Sequence, residues 1–266
     1  MINSILYFIA FAVIQVTVSL GATMVCKMWF PDITETSSTL LLIASAISSV
    51  LTIALFWACK WFRGNRDYIR TRPWTTLLWA ALLGIGSILP LARLEEFIPQ
   101  SWKTDLIGDE LFGMLQTPEG YFLICMLAPL AEEIVFRGAM IKAMTAWCEK
   151  RGIMGWRKEW IAIGLSAALF AVVHFNPAQI PHALIMGVLL AWLFVKTQSI
   201  VPAFIIHWIN NSSAYVFVKL YPNIPMDAPL VDYFHGNERT LMLAVIYSLM
   251  IALPSLYQLI RINRKK

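Results

Sequence analysis

Two adjacent glutamates and an arginine lie in the middle of an apolar run that is long enough to cross a lipid bilayer. The run covers residues 121–146, and the three charged residues are Glu132, Glu133 and Arg137. A charged side chain at the bilayer centre costs roughly 2.5 to 3.5 kcal/mol on insertion scales, so such residues usually face a polar cavity. The sequence therefore predicts a functional site at this point of the chain.

The spacing of these charges predicts different roles for the two glutamates. Glu133 and Arg137 are four residues apart with the acid first, which is the favoured order for an ion pair within a helix. Glu132 points about 100° away from Glu133 around the helix, so that ion pair does not occupy it and it needs another partner. A positioned carboxylate can take a proton from water and return it, which makes Glu132 the candidate catalytic carboxylate.

Two of the four histidines lie in apolar runs and are candidate partners for Glu132. His174 closes one run, and His207 lies inside another with Asn211 one helical turn later on the same face. One intramembrane histidine is as often a hydrogen-bond partner for a neighbouring helix as a functional group. Together with the charged cluster these polar residues favour a site, because each adds an insertion cost. His182 lies at a span boundary and His235 in a loop, so both are set aside.

The composition identifies the kind of fold that must position these residues. Of 266 residues, 59% are hydrophobic and 14% charged, and the mean hydropathy is +0.66, which leaves too few polar residues to cover a soluble domain. We predict an all-α, polytopic membrane protein with one membrane domain over residues 1–266, in which residues 119–218 contain all the candidate site residues named above. About eight transmembrane helices are expected, near residues 2–26, 39–58, 75–92, 121–146, 160–175, 182–195, 200–218 and 241–260. The site would lie among helices four, five and seven.

The charges between the apolar runs predict an orientation in the membrane. Lysines and arginines concentrate at residues 60–72, 150–158 and 261–266, whereas acidic residues dominate the loops before helices four and eight. Because cytoplasmic loops carry the basic excess, both termini are expected in the cytoplasm. These loops account for the net charge of +5, so we predict the lipid bilayer and no nucleic acid as a partner. The four cysteines form no CxxC pair, which argues against a disulfide framework.

Three points of the organisation leave alternatives open. The proline-containing link at residues 176–181 is either a tight turn or a break embedded in the membrane. Residues 109–115 form a short amphipathic pattern, for which an ordinary connector is preferred to a surface helix. Counted along the spans, His207 lies nearer the cytoplasmic boundary, His174 near the outer boundary and Glu132 at mid-membrane. A tilt of the helices, or a link embedded in the membrane, would bring these three side chains to the same depth.

Three short motifs, in chain order, resemble those of the CPBP (Abi) intramembrane proteases, a family that includes the type II CAAX prenyl endopeptidase. They are an EExxxR motif at residues 132–137, an FxxxH motif at 170–174 and an HxxxN motif at 207–211. The resemblance implies an eight-helix membrane fold that hydrolyses a peptide bond of a membrane-associated peptide or protein. It also implies an integral protein of a bacterial cytoplasmic membrane.

The resemblance further implies a role for each motif residue. It assigns water activation to Glu132 with His174, oxyanion stabilisation to His207 with Asn211, and support of the site to Glu133 with Arg137. The family is often described as metalloproteases, and Glu132, His174 and His207 are three ligands of the kinds that catalytic zinc sites use. The chain has no HExxH helix, so a mechanism without a metal is preferred and zinc is kept as the alternative cofactor.

Two other functions compete with proteolysis. Intramembrane Glu, His and Arg residues also build the proton or ion paths of transporters and channels. The sequence lacks the internal repeats and interrupted paired helices of the commonest transporter folds, which argues against this class. A non-catalytic membrane scaffold would not need every motif residue, and here all of them are present.

Overall fold

The chain is helical throughout the part that the computed structural model describes. That part comprises residues 1–29, 38–62, 66–99, 102, 108–174, 176–225 and 228–264, with the side chains of residues 66 and 108–110 excluded. Its long helices are α1 (Ile2–Trp29), α2 (Ser38–Ala58), α3 (Trp74–Glu95), α4 (118–150), α5 (Gly155–Val172), α6 (Ile180–Thr197), α7 (Ile200–Leu220) and α8 (Glu238–Asn263). Shorter helices occupy Arg66–Arg70, Gly108–Leu115 and Leu230–Phe234. The all-α prediction is confirmed.

Five of these helices are long and apolar enough to cross a membrane: α1, α2, α3, α6 and α8. The prediction of a polytopic membrane protein is thereby confirmed. The other three long helices carry more polar residues: α4 contains the Glu132, Glu133 and Arg137 cluster, α7 contains His207 and Asn211, and α5 has charged residues in its first turns. A total of eight crossings stays a prediction.

The helices extend beyond the apolar runs from which they were predicted. Helix α5 begins at Gly155 rather than at the predicted residue 160. Its first turns are polar, so they lay outside the apolar run, and ion pairs with residues outside α5 stabilise them. Lys158 Nζ lies 2.6 Å from Glu149 Oε1, and Glu159 Oε2 lies 2.7 Å from Lys196 Nζ. Helix α5 ends at Val172, and the predicted end at residue 175 lies outside the described residues. The predicted start of α5 was therefore five residues too late, because the prediction relied on hydropathy and the first turns are charged.

The two uncertain connections have defined conformations. Residues 176–179 form a tight turn in which the Asn176 side-chain oxygen accepts the amide hydrogen of Ala178 at 3.0 Å. The preference for an ordinary connector at residues 109–115 was wrong, because a helix forms over Gly108–Leu115. Its Leu115 is buried against Cys125 of α4 and Val218 of α7, and this apolar packing stabilises the segment as a helix.

Helix α4 runs through the middle of the helical bundle. Every side chain from Glu133 to Ile141 is buried. Residues of this segment pack in one apolar cluster with side chains of α1, α2, α5 and α6, including Phe11, Phe56, Phe170 and Phe194. The side chains of Glu133 and Arg137 are therefore enclosed by protein.

The winding of α4 is unusual where it carries the motif. Two π-helical segments, Tyr121–Leu127 and Glu133–Ile141, flank an α-helical turn at Ala128–Glu132. Pro129 lies in that turn and has no amide hydrogen, which removes one bond of the α-helical ladder. A π-helical insertion is rare and occurs frequently at functional sites.

Close approach between helices also fixes the position of α4. A Cβ atom at Gly138 would lie 2.4 Å from the Phe62 ring, so this ring packs directly on the α4 backbone. A Cβ atom at Gly187 of α6 would lie 3.0 Å from the Ala167 Cα of α5. Small residues allow such contacts in membrane helix packing. They bring α5 and α6 close together behind the charged segment of α4.

Candidate active site

The centre of the site is an ion pair that is wholly removed from solvent. Arg137 Nη1 lies 3.0 Å from Glu133 Oε1, and both side chains have no exposed surface. The predicted pair within α4 is therefore confirmed. The guanidinium also lies 4.3 Å over the Phe170 ring, and its Nη2 donates to the Gly187 carbonyl oxygen at 3.4 Å. Helices α5 and α6 thus share in holding the cation.

His207 lies between the two glutamates. Its Nδ1 atom is 2.9 Å from Glu133 Oε1, and its Nε2 atom is 3.6 Å from Glu132 Oε2. Because an ionised carboxylate only accepts hydrogen bonds, Nδ1 carries the hydrogen that Glu133 accepts. The imidazole is nearly buried, whereas 23% of the Glu132 side chain is exposed. Glu132 therefore lies at the open edge of the cluster, and its nearest ionisable partner is His207.

His174 lies just beyond the end of α5 and is held by its own chain. Its Nδ1 atom is 2.8 Å from the Phe170 carbonyl oxygen, which can only accept, so Nδ1 carries a hydrogen. In a neutral imidazole the Nε2 atom then has the free lone pair. Among the described residues no hydrogen bond or ion pair joins His174 to Glu132. The sequence associated Glu132 with His174, whereas the structure brings Glu132 to His207.

Phe170 connects His174 to the rest of the site, and the sequence reasoning did not select it as a site residue. Its ring centroid lies 4.9 Å from that of His174 and 5.6 Å from that of His207, both in edge-to-face geometry. The same ring lies under the Arg137 guanidinium. The sequence did contain an indication that Phe170 lies beside His174, because the two are four residues apart and so share a helix face.

Asn211 joins α7 to α4 one turn after His207. Its Nδ2 atom donates to the Ile124 carbonyl oxygen at 3.1 Å, and its Oδ1 atom lies 3.5 Å from Asn210 Nδ2. The Asn211 carbonyl oxygen also accepts from the Cys125 thiol at 3.3 Å. Since a side-chain amide has two hydrogens, one remains after the bond to Ile124. Asn211 is thus close to the cluster and fixed against the first π-helical segment.

A second contact between α4 and α7 was missed from the sequence. The Tyr121 hydroxyl oxygen accepts hydrogen bonds from Trp208 Nε1 at 3.0 Å and from Ser212 Oγ at 3.4 Å. The Tyr121 and Tyr215 rings lie 4.7 Å apart. Trp208 and Ser212 each follow a motif residue, a spacing that indicates a second polar stripe beside the HxxxN motif. This contact sets the register of His207 against the glutamates.

The residues that would hold zinc do not form a ready metal site in this structure. Among the described residues no group of three or more histidine, cysteine, aspartate or glutamate side chains is arranged to hold a metal ion. His207 and His174 each use Nδ1 in a hydrogen bond, which leaves Nε2 of each free. Metal-ligating histidines commonly have the same arrangement, so zinc stays the alternative cofactor.

These features define a class of protein: an all-helical membrane protein with a largely enclosed Glu-Glu-Arg-His cluster that comes from α4 and α7 and packs against α5 and α6. A family model described as type II CAAX prenyl endopeptidase Rce1-like matches residues 116–213, which include all six predicted site residues. Over 155 residues the chain is 29% identical to the membrane-embedded CAAX protease MroQ of Staphylococcus aureus (strain USA300). That match covers 56% of this chain and 59% of the relative. No solved structure matches.

The family model and the relative both support the resemblance to the CPBP, or Rce1-like, proteases that the three motifs suggested.

Proposed function

We propose that the chain is an intramembrane endopeptidase that hydrolyses a peptide bond of a membrane-associated peptide or protein. The observation that carries this proposal is the 3.6 Å separation between Glu132 Oε2 and His207 Nε2. This distance is too long for a hydrogen bond, so both atoms keep the capacity to contact a third group. A base and a hydrogen-bond donor facing one another in an enclosed site suit the addition of water to a carbonyl.

In the proposed reaction the Glu132 carboxylate takes a proton from a water molecule as the water oxygen attacks the carbonyl carbon of the peptide bond. A carbon–oxygen bond forms and the carbonyl oxygen becomes an oxyanion. Glu132 then gives the proton to the amide nitrogen as the carbon–nitrogen bond breaks. The products are a carboxylic acid and an amine, and Glu132 returns to its starting form.

His174 orients the attacking water in this proposal. Its Nδ1 hydrogen is used by the Phe170 carbonyl oxygen, so the Nε2 lone pair accepts the second hydrogen of the water. Contact of the Phe170 ring with both His174 and His207 supports a common position for the water and the substrate carbonyl.

His207 and Asn211 stabilise the oxyanion in this proposal. His207 donates one hydrogen from Nε2 while Nδ1 donates its own hydrogen to Glu133, which requires a proton on both ring nitrogens. An imidazolium makes the cluster of two carboxylates and one guanidinium neutral, which lowers the cost of burying it. Asn211 contributes its second amide hydrogen. Fixed donors that meet developing charge away from bulk water are effective in catalysis.

The proposed mechanism uses no metal, in line with the absence of an HExxH motif from the sequence, and zinc is the alternative that the next experiment tests. Purified protein is expected to cleave at the same rate before and after treatment with a zinc chelator. Elemental analysis of the same sample would accompany the measurement. Loss of cleavage on chelation, with recovery on adding zinc, would contradict this part of the proposal.

A comparison of two histidine variants tests the proposed function. Wild-type protein, His174→Ala and His182→Ala would be incubated with a farnesylated peptide ending in CAAX and with bacterial membranes, and new peptide termini would be identified by mass spectrometry. The CAAX peptide is the first probe because the family model and the relative are both described by that activity. His182 contacts Glu95 rather than the cluster and is the matched control.

We expect new termini with the wild-type protein and with His182→Ala, and none with His174→Ala. Equal cleavage by His174→Ala would contradict the proposed site. Absence of cleavage by all three proteins, with proton flux into liposomes that needs Glu132, would favour the transporter class instead. We also propose that the protein resides in a bacterial cytoplasmic membrane, since its relative is bacterial, and that both termini are cytoplasmic, since the basic residues concentrate in the loops on that side.

A further inference from the structure

The turn between α4 and α5 carries basic side chains that no acidic residue neutralises. Lys150, Arg151 and Arg157 are exposed, and none of them has an ion-pair partner within the described part of the chain. By contrast, the neighbouring Lys158 is paired with Glu149 at 2.6 Å. The positive charge at this end of α4 is therefore available to an outside ligand.

Two of these cations lie over tryptophan rings. The Arg151 guanidinium carbon is 5.3 Å from the Trp147 ring centroid, and that of Arg157 is 5.7 Å from the Trp156 ring centroid. Cation–π contacts of this length hold a guanidinium in place. A planar guanidinium with fixed orientation matches the oxygen geometry of a phosphate better than a mobile ammonium does. The contacts therefore prepare Arg157 to bind a phosphate group.

The shape of the turn provides an apolar surface beside Arg157. Gly152 and Gly155 adopt φ values of +73° and +61°, which L side chains rarely adopt, and they fold the chain back between the two helices. The result is an open depression of about 900 Å³ whose lining includes Met154, Trp156, Arg157 and Trp160. Its volume is in the range of small-molecule sites and greatly exceeds that of a phosphate ion.

The tryptophans also place this depression at the level of lipid headgroups. Trp156 is 68% exposed and Trp160 52% exposed, although both lie at the start of a helix that packs into the bundle. Exposed indole rings at helix ends are typical of the membrane–water interface. The depression therefore faces the bilayer, and the membrane component whose charge complements its basic side chains is an anionic lipid.

We propose that this depression, the α4–α5 turn site formed by Met154, Trp156, Arg157 and Trp160, binds one anionic phospholipid of the surrounding membrane. Arg157 contacts the lipid phosphate, while Lys150 and Arg151 add positive charge. The indole rings and Met154 contact the upper part of an acyl chain. Such a lipid would fix the end of α4 against the start of α5, the two helices that provide Glu132 and the Phe170–His174 motif.

Lipid binding to purified protein in a neutral detergent tests this proposal. Native mass spectrometry would follow a titration with phosphatidylglycerol, and separately with phosphatidylcholine of the same acyl chains. Removing one lipid-facing arginine is expected to weaken phosphatidylglycerol binding about fivefold. The test variant is Arg157→Gln. Its matched control is Arg261→Gln, because Arg261 is also exposed and also has no ion-pair partner among the described residues.

We expect one retained phosphatidylglycerol per wild-type chain, weaker retention by Arg157→Gln and no change in Arg261→Gln. Trp156→Leu, which alters an exposed side chain, is a second test variant and should also weaken retention. Circular dichroism would check the folding of each protein. Equal retention by wild type, Arg157→Gln and Trp156→Leu would overturn the proposal, as would equal binding of phosphatidylcholine. Competition by glycerol phosphate as strong as that of the lipid would assign the site to free phosphates instead.

Discussion

Replacing Arg137 by methionine would remove the cation of the buried ion pair while keeping an apolar side chain of similar length. The Glu133 carboxylate would stay in a site with no exposed surface. Its Oε1 atom would retain the hydrogen bond to His207, and its Oε2 atom makes none within the described residues. Even with His207 protonated, Glu132, Glu133 and His207 then carry a net negative charge in a largely enclosed site, so this variant leaves one charge uncompensated.

The structure gives the size of the expected effect. Breaking a buried ion pair by removing one partner lowers the free energy of unfolding by about 3 to 5 kcal/mol. Arg93→Met is the matched control, because Arg93 forms ion pairs with Glu96 and Glu238 that are partly exposed. Loss of an exposed pair costs about 1 kcal/mol or less. The two arginine variants should therefore differ by about 2 kcal/mol or more.

The assay is unfolding by sodium dodecyl sulfate in mixed micelles, followed by circular dichroism of the purified proteins. The double variant Glu133→Leu/Arg137→Met should recover at least half of the stability lost in Arg137→Met, because it removes both members of the ion pair and leaves Glu132 and His207 with opposite charges. The reasoning would be refuted if Arg137→Met were no less stable than Arg93→Met. It would also be refuted if the double variant were less stable than Arg137→Met.

Two further substitutions test the packing that positions the site. Tyr121→Phe removes the oxygen that accepts from Trp208 Nε1, so we expect unfolding to be easier by about 1 to 2 kcal/mol and peptide cleavage to be slower. Gly187→Val places a Cβ atom 3.0 Å from the Ala167 Cα atom, and the overpacking should cost about 1 to 3 kcal/mol. The same detergent unfolding measurement, with a cleavage assay for Tyr121→Phe, checks both.

Each of these substitutions has a control within the chain. Tyr247→Phe removes a hydroxyl from an exposed ring of α8, and should leave stability and cleavage unchanged. Gly164→Val adds a side chain to α5 at a position where a Cβ atom meets nothing within 4 Å. If Gly164→Val were as destabilising as Gly187→Val, helix propensity rather than the α5–α6 contact would explain the loss. If Tyr247→Phe lowered stability and cleavage as much as Tyr121→Phe does, the hydrogen bond between α4 and α7 would not explain the effect of Tyr121→Phe.

The sequence was sufficient to predict the ion pair but not the partner of Glu132. The Glu133–Arg137 contact depends on spacing within one helix, which a periodic pattern determines directly. The partner of Glu132 depends on how α7 lies against α4, and that depends on contacts between helices. Counting along the spans put His207 and Glu132 at different depths, yet their side chains lie 3.6 Å apart. Depth counts assume straight α-helices normal to the membrane, whereas α4 contains two π-helical segments.

The helices themselves were predicted in order and approximate position, because apolar runs of membrane length are a strong signal. Their ends were predicted less well, since helices continue through charged turns that hydropathy excludes. Helix α8 begins at Glu238, where the Asn237 side chain accepts the Thr240 amide hydrogen at 3.1 Å, although the apolar run begins at residue 241. The roles of Phe170 and Tyr121 were not predicted, because both depend on tertiary packing. The Phe170 ring contacts His174 and His207, and the Tyr121 hydroxyl oxygen accepts from Trp208 of another helix.

The rate of a single turnover by Glu132→Gln tests the central claim most directly. Glutamine keeps the shape of the side chain but does not take a proton from water, so the proposed general base is lost. With the peptide that the wild-type protein cleaves, we predict a cleavage rate lower by about 10²- to 10⁴-fold and an unchanged KM. A folded Glu132→Gln protein that cleaves at the wild-type rate would contradict the account.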